Sequence, residues 1–479
     1  MEYTKGETGH GHTSRAGGKG QIGMRVGWGT GCITPEGCVV IAGQAPFRPA
    51  SVVHDDIFAT AMVLQSGDTR VIWVSCDICH PTAHLRETAA AMLAAEIPGF
   101  REEEFVLNTT HATACFWLTD REFLMSGYRM PYDKIEPMEK TREHVCRGIV
   151  AAVKEALTHM EDCRAEAASA DILTGFCRRV VFADGSAAMY GDVHRPDFRR
   201  MEYPDGGPSQ FLYFRRCADG KLTGILANVP CPSQADESSL HITSDYWGTV
   251  RRRIREAYGE DVRVLTTCRA AGELSPHRLM RSPDHNRMEE WGPQAAERLG
   301  NLVADGILAA EKDVKLTIPA DADVRMLNRE VDFPVRQTNA EEYAEALAYF
   351  ADRDNFDENG IEKDWMRQAK YAHVRFLWER KPQTYRARIS AVKLGDAVLY
   401  TAPAELFAEY TARITVRFRE RALFDVQLAQ DCMGYLPTKE AIEHGGYSAL
   451  IFNNVTDDRG GELYVEEATA LIRQLEVSV

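Results

Sequence analysis

The sequence predicts an α/β protein with a mixed β-sheet core and surrounding helices. Two observations carry that reading. From Arg25 onward, short β-type runs alternate with longer helical patterns, and such interleaving builds a sheet flanked by helices. No internal repeat and no Pro/Ser linker cuts the chain, so its 479 residues, 44% of them hydrophobic, suit one large core or two packed lobes. The expected organisation is a Gly-rich tail over residues 1–22, then a single domain over 23–479, with lobes at 23–315 and 316–479 as its natural division.

Each element has its own signal. Residues 58–64 and 70–75 read as a hairpin around Ser66-Gly67-Asp68. Residues 86–95 are Ala-rich and helical, 104–107 start a strand, and 141–159 are amphipathic and helical. Residues 172–182, before the turn Asp184-Gly185, are β in character. Residues 211–216 and 222–229 form a second hairpin around Ala218-Asp219-Gly220. A helix over 247–258, a strand over 262–267 and a helix over 292–312 follow. Residues 340–380 read as helices broken at 352–355; 385–394 and 397–401 read as strands, 407–418 and 463–474 as helices.

Composition narrows the function. The 56 Lys and Arg against 71 Asp and Glu leave a net charge of −15, which repels phosphate backbones and anionic membrane surfaces, so nucleic acid is excluded as a partner. No apolar run is long enough to span a bilayer, and the N-terminal stretch lacks the apolar core of a secretory signal. The expectation is a cytoplasmic protein acting on a small molecule, with self-association left open. The 12 cysteines are scattered and read as reduced, mostly buried thiols. The close pair Cys76 and Cys79 has redox-motif spacing but no second pair, so it too reads as structural thiols. His10 and His12 read as solvated tail residues.

Three segments place reactive groups directly after β-type runs, where loops gather at one edge of a sheet. They are Phe105 to Thr113, which contains His111; Val264 to His277, which contains Ser275; and Ala397 to Glu405. A histidine after a strand also serves as an ordinary structural residue, a serine before proline as a turn, and a glutamate before a helix as a first-turn acid.

The order and surroundings of these segments resemble the neutral ceramidase family from about Val26 to Leu475. Matching stretches are Val26-Gly27-Trp28-Gly29, Val53-His54-Asp55, Ser75-Cys76-Asp77, Arg178-Arg179 and Thr243-Ser244-Asp245-Tyr246-Trp247-Gly248. Gly272-Glu273-Leu274-Ser275-Pro276, Pro403-Ala404-Glu405, Gly434-Tyr435-Leu436-Pro437-Thr438 and Gly445-Gly446-Tyr447 follow in the family's order. The resemblance implies a ceramidase catalytic-domain-like fold and a zinc amidase, in which zinc is held by His, His, Glu and Tyr beside a serine nucleophile. His111 then matches a zinc ligand, Glu405 the carboxylate ligand and Ser275 the nucleophile.

Two ligand positions depart from that pattern. Pro232 stands where the second histidine is expected, and Ile442 where the tyrosine is expected; neither side chain has a lone pair for a metal. A recruited replacement is therefore expected, with His194 first, His241 second and Tyr447 as a further candidate. His277 is a candidate general base for Ser275, and His54, Asp77, Arg179 and Tyr447 candidate substrate-binding residues. The implied function is a metal-dependent hydrolase of an amide or related acyl bond in a small soluble substrate. The alternatives are a metal-free ligand-binding relative, and a lyase or isomerase acting on a sugar-like compound.

Overall fold

The computed structural model describes residues 23–43, 48–115, 136–281, 290–356 and 364–477. The expected tail over residues 1–22, with His10 and His12, lies outside them.

A nine-stranded mixed sheet dominates. Its order is Arg263–Cys268, Leu222–Val229, Ser209–Arg216, Glu161–Ala170, Arg25–Cys32, Phe58–Ser66, Thr69–Cys76 and Phe105–Thr109, with Leu316–Ile318 also paired to Glu161–Ala170. Phe105–Thr109 runs parallel to Thr69–Cys76, and Arg263–Cys268 parallel to Leu222–Val229. Ser75 Oγ and Asn108 Nδ2 both donate to the Thr266 carbonyl, so the sheet curls until its two edge regions meet. A second sheet has the order Val324–Pro334, Thr384–Leu394, Ala397–Thr401 and Ala422–Val426, the last two parallel.

Side-chain alternation explains the layering, because successive residues of a strand face opposite sides. Ala59, Ala61, Val63, Ile72 and Val74 pack with Val145, Ile149 and Val153 of the helix Met138–Thr158. Their neighbours Met62, Leu64, Val71 and Trp73 share another core with Val392, Leu399 and Phe424 of the second sheet. The far face of that sheet, through Val398 and Tyr400, packs on Tyr464, Ala468 and Ile472 of the helix Asp458–Glu476. The result is helix, sheet, sheet, helix. Helices Tyr246–Tyr258 and Pro293–Ala310 cover the remaining outer face through Val250, Ile254, Val303 and Ile307.

Both expected hairpins form, with strands Phe58–Ser66 and Thr69–Cys76, and Ser209–Arg216 and Leu222–Val229. Several strands went unread. Glu161–Ala170 is rich in Ala and Glu, which favour helices, yet it is a central strand because Cys163, Ala165 and Ala167 alternate inward. Val324–Pro334 and Ala422–Val426 are two more. The β character expected over 172–182 is confined to Phe176–Cys177 and Arg179–Phe182.

Candidate metal centre

Loops at the carboxyl ends of the parallel strands interlock to build the site. Thr110 N–H donates to the Cys76 carbonyl, Ala112 N–H to Ile78, and Thr113 N–H to Ser233. The Ser233 hydroxyl donates back to the Thr110 carbonyl. His111 is thereby held at φ 59°, a left-handed conformation that a non-glycine residue adopts only under constraint. Glu405 opens the short strand Glu405–Leu406, which pairs with Tyr435–Leu436 beyond the second sheet, and its N–H is on the Gly434 carbonyl. Gly272 lies so close that a Cβ there would meet the Glu405 carbonyl oxygen at 2.7 Å, so only glycine lets the serine-bearing loop approach.

His111 and Glu405 meet. His111 Nε2 is 3.5 Å from Glu405 Oε2, with exposures of 3% and 7% for the two side chains. A third group joins them, one the sequence reading did not single out. His80 Nε2 lies 3.6 Å from Glu405 Oε1, and its ring centroid is 5.6 Å from that of His111. Cys79 Sγ stands 3.5 Å from His80 Nε2, and donor atoms of Cys79, His80 and His111 all fall within 4.8 Å of one another. Among the described residues this is the cluster of His, Cys, Asp and Glu with metal-binding spacing.

The donors fit a zinc-like cation. Two imidazoles and one carboxylate form a set that zinc uses with a position left open. Ligands roughly 2.0–2.3 Å from one tetrahedral ion lie about 3.3–3.6 Å apart, and good hydrogen bonds are shorter. The 3.5 and 3.6 Å separations match those edges. Glu405 Oε2 and His111 Nδ1 are buried without a hydrogen-bond partner, and a bound cation would satisfy the carboxylate oxygen. Burial pushes the His111 imidazolium down to about 4, despite the carboxylate beside it. Burial works to raise the Glu405 carboxyl, but His111, His80 and Arg178 outweigh it and hold it down at about 2. Neutral imidazole and ionised carboxylate are the forms that ligate a metal. Burial also lifts the Cys79 thiol well above its usual range.

A buried polar chain joins this corner to Ser275. Tyr435 bonds Glu405, and the Arg178 guanidinium donates to the Tyr435 hydroxyl at 3.2 Å. Arg178 also donates to the Gly272 carbonyl and bonds Tyr190, while its Nε has no partner. The Tyr190 hydroxyl, on a residue at φ 55°, donates to Ser275 Oγ at 3.1 Å, and His277 N–H donates to the same oxygen at 3.0 Å.

Several expected roles change. His277 is not placed as a base for Ser275: its ring stacks on Trp291 at 3.4 Å, and its two nitrogens face the Glu290 and Gln234 carbonyls. His194 is exposed, with its backbone N–H on Asp192 Oδ1, and is not among the clustered donors. His241 is committed to Asp236 at 2.7 Å and stacks on His54. His54 is 52% exposed and bonds Asp55, so its contacts lie outside the cluster. Asp77 is a buried ion-pair partner of Arg251, not an available binding group. Arg179 is likewise spent on Glu202, Ser448 and the Ala441 and Gly445 carbonyls. Its neighbour Arg178 is the arginine in the site. Tyr447 borders it, with its ring 6.3 Å from that of Tyr435. Pro232 contributes backbone alone, and Ile442 sits on the helix Lys439–His444.

A layered α/β architecture with two facing mixed sheets and a polar centre where strand-end loops converge defines the class. Its fold is that of neutral ceramidase. The crystal structure of neutral ceramidase from Pseudomonas aeruginosa superposes with a TM-score of 0.69 at 17% identity, covering 96% of this chain and 76% of that one. A ceramidase solved in complex with C2 gives a TM-score of 0.67 at 17% identity, with the same coverage. No protein-family profile and no curated protein sequence matches the chain. No described helix is long and apolar enough to cross a membrane.

Proposed function

We propose that this protein is a metal-dependent hydrolase of an amide or related acyl bond in a small soluble substrate. The observation that carries the reading is the convergence of His80, His111 and Glu405 from two sheets, with separations that suit one cation. Zinc is the ion this donor set favours. The name ceramidase borne by the two solved proteins of the same fold supports the acyl class.

A bound zinc ion would supply Lewis-acid polarisation of the acyl carbonyl. The chain's own groups then divide the remaining work. Ser275 presents an oxygen that accepts two hydrogen bonds, from Tyr190 and from the His277 backbone. Those donors favour negative charge on Oγ, as a nucleophile needs. Arg178, buried and linked to both corners, offers positive charge where the acyl oxygen becomes negative. Tyr447 at the edge of Tyr435 is a wall for the substrate. The setting we propose is cytoplasmic, since all the cysteines are unpaired thiols.

The rival reading, a ligand-binding protein without turnover, draws on Pro232 and Ile442, where the resemblance implies ligands. One experiment separates them. Metal content of the purified chain is measured, and release of free acid from a panel of short N-acyl amines is followed with and without chelator. The expected outcome is about one zinc per chain and chelator-sensitive hydrolysis. Zinc without turnover of any panel member would favour the binding protein, and failure to take up zinc would overturn the metal-dependent reading.

A further inference from the structure

We propose that Cys79 is a fourth donor of the metal centre, a thiolate that closes the coordination sphere of the resting protein. The inference rests on the proposed metal site and deepens it. It assigns the set Cys79, His80, His111 and Glu405, which is not the His, His, Glu and Tyr set that the resemblance implies.

Three observations carry it. First, Cys79 Sγ lies 3.5 Å from His80 Nε2, and a sulfur at about 2.3 Å and a nitrogen at about 2.0 Å from one tetrahedral ion are about 3.5 Å apart. The Cys79, His80 and His111 donors are mutually within 4.8 Å, so small side-chain adjustments bring all three onto one ion. Second, the centre is buried and incomplete as it stands. Cys79 is 1% exposed, and Glu405 Oε2 has no hydrogen-bond partner inside the same pocket of donors. Third, the backbone carrying the sulfur is pinned. Thr109 Oγ1 donates to the Cys79 carbonyl at 3.1 Å, and Ala112 N–H to the Ile78 carbonyl at 3.2 Å. The two neighbouring donors are thus presented from a loop tied to the His111 loop on both sides.

Chemically, the S–H bond of Cys79 breaks as the sulfur–metal bond forms, and the proton leaves to solvent. No oxidant or reductant is needed. The consequence is a centre softer than an all-nitrogen-and-oxygen one, in which substrate must displace the sulfur or enlarge the coordination number before the carbonyl reaches the ion.

The test uses the full chain stripped of metal and refilled with cobalt(II). Thiolate ligation gives an intense sulfur-to-cobalt charge-transfer band in the near ultraviolet, a readout independent of turnover. The expected result is that the wild type shows the band, Cys79→Ser loses it while still binding cobalt, and Cys115→Ser and Cys432→Ser keep it. Zinc affinity of Cys79→Ser should fall by more than the roughly 10–100-fold of an outer-shell change. Cobalt bound without the band, or a band that survives in Cys79→Ser, overturns the role of Cys79 and leaves the His80, His111 and Glu405 site standing. A wild type that binds neither cobalt nor zinc overturns both. Should Cys79→Ser fail to fold, cadmium-113 resonance of the wild type decides, because a sulfur ligand moves its shift far downfield of an all-nitrogen-and-oxygen site.

Discussion

The two corners of the site differ in how their polar atoms are used. At the metal corner, His111 Nδ1 and Glu405 Oε2 are buried without partners, and the donor pairs stand 3.5 and 3.6 Å apart. At the serine corner Ser275 Oγ accepts two hydrogen bonds, and both ring nitrogens of His277 face carbonyls. A native fold leaves few buried polar atoms unmatched, so unmatched ones mark where something else binds. On the proposed reading, one corner receives an ion and the other holds the serine in place.

The strongest way to break this contrast is to remove His80. His80→Ala should drop bound zinc well below about one per chain after dialysis against dilute chelator, because it removes a direct ligand. His194→Ala and His241→Ala should keep full occupancy in the same metal assay. Retained zinc in His80→Ala would refute the assignment.

Two adjacent arginines sharpen it. Arg178→Lys should cut kcat/KM by about 10²–10³-fold while sparing zinc content, as losing an oriented donor at a charged transition state does. Arg179→Ala should instead cost about 3 kcal/mol of stability, read by denaturant unfolding, because it strands the buried Glu202 carboxylate with His444 as its remaining partner. Equal effects of the two on both readouts would erase the distinction.

The smallest effect concerns Glu273, whose carboxyl accepts the Ala408 N–H at the start of the helix Ala408–Thr415. Burial raises it to about 7, against the backbone hydrogen bonds that work to lower it. An acid raised on folding holds its proton in the native state, so its contribution is fully present below about pH 4.5 and is lost as pH rises through about 7. Melting temperature should therefore fall between pH 5 and 8 by the equivalent of about 2 kcal/mol. Glu273→Gln, which keeps an accepting oxygen, should flatten that fall. An unchanged slope would show that Glu273 is not its source.

Much of the fold was legible because strands such as Phe58–Ser66 and Thr69–Cys76 are near-continuous apolar runs bounded by a polar glycine turn. It was illegible at Glu161–Ala170, where tertiary pairing on both edges overrides a composition that favours helix. His111 and Glu405 were singled out because both follow a strand end and match ligand positions that the family resemblance implies. His80 obeys the same rule, four residues beyond the strand that ends at Cys76, but the Cys76–Cys79 spacing drew attention to sulfur instead of to the histidine beside it. Arg178 and Arg179 were not separable from sequence, since only the packing shows which one faces Glu202. The replacement histidine was expected in loops rich in Gly and Pro, whereas His80, which stands beside His111 and Glu405, lies in a loop stapled to its neighbours by backbone hydrogen bonds.

The meeting of Glu405 with His80 has a consequence for how the protein matures. The two positions are 325 residues apart, the carboxylate on the short strand Glu405–Leu406 beyond the second sheet and the imidazole on the loop that follows Thr69–Cys76 of the first. A ribosome must therefore finish most of the chain before the carboxylate can join Cys79, His80 and His111. An ion held by all four donors, as we propose, would rivet the Glu405 strand to the loops of the first sheet.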